Sequence, residues 1–288
     1  MPQIETFSHI GYKTPHHEVK MCEDRLIVNK SQQIYGVFDG ATSASHVEIN
    51  GLTDGAYIAA FFKEQIEQGD FTNQTAAEIL AQTNQAFGEH LASQHPKVHQ
   101  LGKNGPSGSV VLVKLQGDGI ATYAQVGDCM LIEQTTQNHW HEWTVDSRYD
   151  DDLKYLKIAE QLAQKRGCGI LDVRQEPEVM AAIKAHRAMS NVQKGVATGE
   201  LAMNDFIHQG RIDLQNTQSL IMMSDGMADP DYDLQNTYIE AAKYMKMHSI
   251  EGYYNNLRDR FEQDIDWHKL KYIRGKHIDD ASAMILNF

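Results

Sequence analysis

This sequence predicts an α+β fold in which two packed antiparallel β-sheets lie inside and helix pairs flank them. Three observations carry the prediction. Strand-like runs follow one another in the middle of the chain across gaps of a few residues, which suits hairpins rather than the long crossovers of parallel sheets. Helical patterns come in pairs before and after that stretch. No repeat, low-complexity tract or Pro/Gly/Ser-rich linker divides the 288 residues, so they read as one domain, 1–288.

The elements are predicted in this order. DRLIVN (24–29) and QIYGVF (33–38) are β-branched and aromatic runs that end at polar or glycine residues, and they read as strands. A helix follows over 53–68, with Ile58, Phe62 and Ile66 on one face. A second runs over 75–94 with Ala76, Leu80, Phe87 and Leu91 on one stripe, and Thr75 with Glu78 forms a capping box at its start. Strands are then expected at 107–115, 119–126, 129–134 and 139–145. Helices return at 151–165 and 176–186, a strand at 219–224, helices at 235–247 and 249–267, and a last strand at 281–288.

Composition narrows the function classes. Hydrophobic residues at 41% and charged residues at 23% suit an ordinary folded domain rather than a disordered chain. A formal net charge of −13 argues against a nucleic-acid footprint, which needs a basic patch. Cys22, Cys129 and Cys168 are too few and too scattered for a disulfide framework or a CxxC zinc site, and read as reduced thiols. MPQIETFSHIGYK carries no secretory signal pattern, and no window holds the ~20 apolar residues of a membrane span. A cytoplasmic monomer is the expectation.

Aspartates recur where apolar runs end. IYGVF ends in Asp39-Gly40, TYAQVG in Asp128 and LIMMS in Asp225-Gly226, while Asp279-Asp280 precede the last strand. A single Asp-Gly after a strand is ordinarily a turn. Several buried strands ending at one rim would instead gather their carboxylates. Such crowding requires protonation or a cation, and an all-oxygen set suits Mg²⁺ or Mn²⁺. A two-metal hydrolytic site is the chemistry this predicts.

The same residues carry a family resemblance. Glu23-Asp24 in KMCEDRLIV, Asp39-Gly40 in YGVFDGATS, Ser109 in SGSVVLV, Asp128 in AQVGDCMLI, Asp225-Gly226 in LIMMSDGMAD and Asp279 in HIDDASAMIL occur in the order and at intervals similar to those of PP2C-type (PPM) protein serine/threonine phosphatases. The resemblance implies a PP2C-like α-β-β-α sandwich and hydrolysis of phosphoserine or phosphothreonine in proteins. The reaction would be direct attack of a metal-bridging water, without a phosphoenzyme. By it, Asp39 bridges two metals with the Gly40 carbonyl as a further ligand, and Asp225 and Asp279 hold one metal. Glu23 or Asp24 serves the other, and Asp128 with Asp225 matches a third-metal position. It also implies a flap within about 170–217, for which KGVATGELAM (194–203) is the candidate.

Two departures bear on function. The family's glycine-rich stretch after the first Asp-Gly is replaced by DGATSASH, which puts Thr42, Ser43, Ser45 and His46 beside the expected metals. The family's phosphate-binding Arg, four residues before the Glu of the pair, is Val19 here. Lys20 and Arg25 are the candidate replacements, although strand alternation turns neighbouring side chains to opposite faces. Asp280, where many members carry Asn, is expected to point away or cap a turn. The rival readings are a non-catalytic phosphatase-like module and a phosphatase of a small phosphoester.

Overall fold

The computed structural model describes residues 2–11, 21–41, 45, 47–233, 235–263 and 278–288, with the backbone alone at Asp151. In chain order, β1 (Gln3–His9), β2 (Arg25–Asn29) and β3 (Ile34–Ala41) precede a short pair, β4 (Glu48–Ile49) and β5 (Leu52–Thr53). Helices α1 (Asp54–Gln68), α2 (Ala76–Gln94) and α3 (Pro96–His99) follow. Next come β6 (Ser107–Leu115), β7 (Ile120–Val126), β8 (Met130–Thr135) and β9 (Trp140–Glu142). After α4 (Tyr149–Arg166) and α5 (Pro177–Ala188) the chain forms β10 (His208–Asp213) and β11 (Thr217–Met223). Helices α6 (Thr237–His248) and α7 (Ile250–Gln263) lead to β12 (Ala281–Asn287).

The strands form two five-stranded sheets, ordered β1-β12-β11-β8-β9 and β10-β7-β6-β3-β2, and β4-β5 pair separately. Every named pairing is antiparallel. Side-chain alternation sorts the apolar residues into layers. In β6, Val111 and Val113 face the other sheet, whereas Val110 and Leu112 face α1 and α2. In β11, Leu220 and Met222 join the inter-sheet layer, and Ile221 and Met223 pack towards α6 and α7. The predicted sandwich of two sheets between helix pairs is therefore the architecture. A smaller apolar cluster, including Ala159, Ala163, Val173 and Val179, joins α4 to α5.

The capping box at α2 forms as expected, with Glu78 N–H donating to Thr75 Oγ1 and Thr75 N–H to Glu78 Oε2. The strand expected over 139–145 is only three residues long. Beyond it, Trp143 N–H still donates to the Leu131 carbonyl, but Thr144 Oγ1 takes the N–H of Leu131, so a side chain replaces the backbone partner there. Strands β1 and β10 carry no apolar run and were not predicted. Each is an edge strand held by its neighbour: β1 pairs along all seven residues with β12, and β10 pairs with β7. The last four residues of the helix expected over 249–267 lie outside the described residues.

Candidate active site

Several of the predicted carboxylates act on one buried position. Cys129, buried between the sheets, reports their convergence: burial pushes its thiol well above the ordinary range, and the charges of Asp39, Asp128, Asp24 and Asp225 push it further. Carboxylates from four chain segments thus act on one buried position between the sheets.

Close backbone approach explains the glycines of both Asp-Gly pairs. A Cβ at Gly40 would lie 2.3 Å from the Gly55 carbonyl oxygen, and one at Gly226 would lie 1.8 Å from that of Asp280. Neither is merely a turn residue. Gly226 lets the end of β11 meet the start of β12, and Gly40 lets β3 meet the start of α1 beside the Glu23 backbone.

Glu23 is buried, and its Oε1 accepts from the Thr53 hydroxyl at 2.5 Å while its carbonyl accepts from Gly40 N–H. Asp24 Oδ2 accepts from Ser224 Oγ at 2.8 Å, and that oxygen in turn accepts the N–H of Ser282. Burial first, then the charges of Asp280 and Asp279, push the Asp24 carboxyl up to about 8. Asp279 Oδ1 accepts from Asp280 N–H. The Asp280 carboxylate reaches two distant backbones instead of capping a local turn, accepting Gly11 N–H at 2.6 Å and Glu23 N–H at 2.8 Å. Asp39 stands opposite Ser109 in the β3–β6 register.

The cation candidates separate. Arg25 donates through Nη1 to the carbonyls of Cys22 and Asp24, which binds it to the backbone of the Glu23-Asp24 segment. Val19, Lys20, Thr42, Ser43 and His46 lie outside the described residues, and Ser45 Oγ donates to the Asn104 carbonyl. Arg148, which no sequence pattern singled out, lies with Nε 3.5 Å from Asp128 Oδ2. It is the N-cap residue of α4, and buried Asp146 sets its place: Oδ1 accepts the N–H groups of Arg148 and Tyr149, and Oδ2 accepts the Tyr238 hydroxyl. Burial, then the nearby Asp128 charge, push Asp146 up to about 7. His186 faces Asp152 at 3.5 Å, but burial and the charges of Arg148 and Arg187 push its imidazole down to about 4, so it is neutral at pH 7.

The segment 194–203 is tied into the fold. Gly108 and Ala197 exchange backbone hydrogen bonds, and Asn84 bonds to Thr198, Gly199 and Glu200. Ile170 and Val173 pack with α4 instead.

The donor chemistry fits a hard cation. The donors are oxygens, and Asp24 Oδ1 and Asp128 Oδ1 are buried with no hydrogen bond among the described residues. In the geometry as it stands, no three His, Cys, Asp or Glu among the described residues form a ready ligand set. A pH test follows from Asp24. Its folded pKa is raised above the unfolded value, so without metal it binds an extra proton between about pH 4 and 8, and its contribution to stability falls as pH rises through that window. Asp24→Asn is therefore expected to leave metal-free stability unchanged near pH 4 and to raise it at pH 8 by on the order of 5 kcal/mol. Urea unfolding at the two pH values checks this, and equal effects at both would refute it.

No protein-family profile matches the chain, and no curated protein does. Solved structures do. Stp1, a serine/threonine phosphatase from Staphylococcus aureus, is similar at TM-score 0.55 and 16% identity, over 100% of this chain and 95% of that one. The Mycobacterium tuberculosis serine/threonine phosphatase PstP/Ppp is similar at TM-score 0.56 and 12% identity, over 99% and 98%. RsbX, solved in complex with magnesium, is similar at TM-score 0.51 and 14% identity, over 99% and 98%. Antiparallel sheets, helix layers and near-complete coverage agree: the chain has the PP2C-type phosphatase fold.

Proposed function

We propose that this chain is a PP2C (PPM) family phosphatase that uses Mg²⁺ or Mn²⁺ to hydrolyse phosphoserine or phosphothreonine in proteins. The observation that carries the reading is that the charges of Asp24, Asp39, Asp128 and Asp225, from four chain segments, all act on Cys129 buried between the sheets. Carboxylates brought together in water-poor surroundings are unfavourable unless a cation balances them, and Asp24, raised by burial and by the charges of Asp280 and Asp279, is one such group. Two similar structures are serine/threonine phosphatases and a third contains magnesium.

In this reading Asp39 would be shared by the two ions with the Gly40 carbonyl as a further ligand, Asp225 and Asp279 would hold one ion, and Glu23 or Asp24 would serve the other. Asp128 is the candidate for a third ion, although one of its oxygens already faces Arg148. Bound Mg²⁺ or Mn²⁺ supplies Lewis acidity, lowering the pKa of water and neutralising charge on the phosphate. The chain's own groups hold these carboxylates in place. Thr53 orients Glu23, Ser224 orients Asp24, and Asp280 fixes the Glu23 backbone. One domain over 1–288 with an access flap within 170–217 belongs to the proposal, as does a cytoplasmic monomer with a phosphoprotein partner and no nucleic acid. Among the described residues no helix is long and apolar enough to cross a membrane.

The deciding experiment is p-nitrophenyl phosphate hydrolysis with Mn²⁺, Mg²⁺ or EDTA. Metal-requiring turnover is expected. Absence of turnover with every metal would sink the reading in favour of a non-catalytic module. Chelation should leave the far-ultraviolet circular dichroism nearly unchanged, because three large apolar clusters hold the sandwich without metal. Extensive loss of secondary structure in EDTA would assign the metal a structural role instead.

A further inference from the structure

A phosphate monoester arrives as a dianion at a rim already crowded with carboxylates, so a fixed cation must help offset the repulsion. Arg25 is bonded to backbone carbonyls through Nη1. Arg148 is placed differently. Its side chain is 16% exposed and approaches Asp128 through Nε, while neither Nη donates a hydrogen bond among the described residues. The outer edge of a guanidinium held in this way matches two phosphate oxygens.

The fold sets that placement. The carbonyl of Gly127, next to Asp128, accepts from Ser147 Oγ at 2.8 Å and from Gln125 Nε2 at 2.9 Å, which locks the turn after β7 to the residue before Arg148. Asp146 fixes the backbone from the other side. Burial opposes the Arg148 charge, but Asp128, followed by Asp152, Tyr155 and Asp39, more than offsets it, and the guanidinium stays protonated. A groove of about 500 Å³ opens beside this segment, with Gly127, Ser147, Asp150, Lys154 and Lys194 on its walls.

We propose that Arg148 is the phosphate-binding cation of this site, entering from the start of α4 in place of the arginine absent at Val19. The proposal rests on the phosphatase reading above, and the experiment separates the two. With the Mn²⁺-loaded protein, Arg148→Gln is expected to raise KM for p-nitrophenyl phosphate roughly 10- to 150-fold with kcat within a few-fold. Inorganic phosphate binding, measured by calorimetry, should weaken by a similar factor. Arg148→Lys, which keeps the charge but not the fork, should recover part of both. A purely structural role would lower thermal stability without this split and without rescue by lysine. A folded Arg148→Gln with unchanged KM and phosphate affinity overturns the proposal while leaving the phosphatase reading intact. If the wild type shows no turnover, the phosphatase reading falls on its own. Calorimetry then decides Arg148: phosphate affinity lost in Arg148→Gln upholds its role, and affinity retained overturns it. Should Arg148→Gln not fold, the same two measurements on Arg148→Lys decide, an intermediate loss supporting the role and no loss overturning it.

Discussion

Asp39→Ala and Asp225→Ala are each expected to lower Mn²⁺-dependent hydrolysis by at least ~100-fold, because each removes a shared oxygen donor and leaves the attacking water without a defined position. The two side chains come from opposite sheets, Asp39 on β3 and Asp225 just after β11, so each change strips one wall of the rim. Folding loss can be told apart from site loss. Both carboxylates act on the buried Cys129 together with Asp24 and Asp128, so either substitution lowers the negative charge around that position in the metal-free protein. Metal-free melting temperatures should therefore hold or rise, while the stabilisation given by Mn²⁺ should shrink. Near wild-type rates with unchanged Mn²⁺ dependence in both variants would remove these residues from the site.

The second large effect is on stability. Asp280→Ala leaves two buried backbone donors, Gly11 N–H and Glu23 N–H, without their acceptor. At about 1–3 kcal/mol for each unsatisfied group, a loss on the order of 2–6 kcal/mol is expected in urea unfolding. Asp280→Asn should fall between, since an amide has one acceptor oxygen where the carboxylate has two. The contacts join the end of β1, the Glu23-Asp24 segment and the start of β12, so Mn²⁺ affinity should weaken along with stability. An unchanged unfolding midpoint for Asp280→Ala would show that water replaces the clamp.

The fold was legible in the sequence wherever an element carries its own apolar signal. Runs such as SGSVVLVKL and SLIMMS bury both faces, one against the facing sheet and one against helices, so their hydrophobicity is continuous. The α2 capping box is equally local, since Thr75 and Glu78 satisfy each other within one turn. Strands β1 and β10 were not legible because edge strands are defined by a neighbour's hydrogen bonds. HQGRID buries only Ile212 deeply. The 139–145 run was over-read for a related reason: its apolar residues suit a strand, but Thr144 takes over a backbone partner.

At the candidate site, the sequence alone determined which residue types end the strands, and the crowding of carboxylates followed from several buried strands ending at one rim. It could not determine what each carboxylate bonds to. Asp24 with Ser224, Asp280 with Gly11 and Glu23, and Asp128 with Arg148 are contacts between segments far apart in the chain. Arg148 is the clearest case. In SRYDDD it reads as an ordinary charged residue at a helix start, and only the bonds from Ser147 to Gly127 and from Asp146 to the first turn of α4 bring its guanidinium to Asp128. Local patterning sets periodicity and turn chemistry, because those depend on near neighbours. The partner of a buried charge is set by which distant segments the packed sheets bring within hydrogen-bonding reach, and that is decided by the tertiary structure.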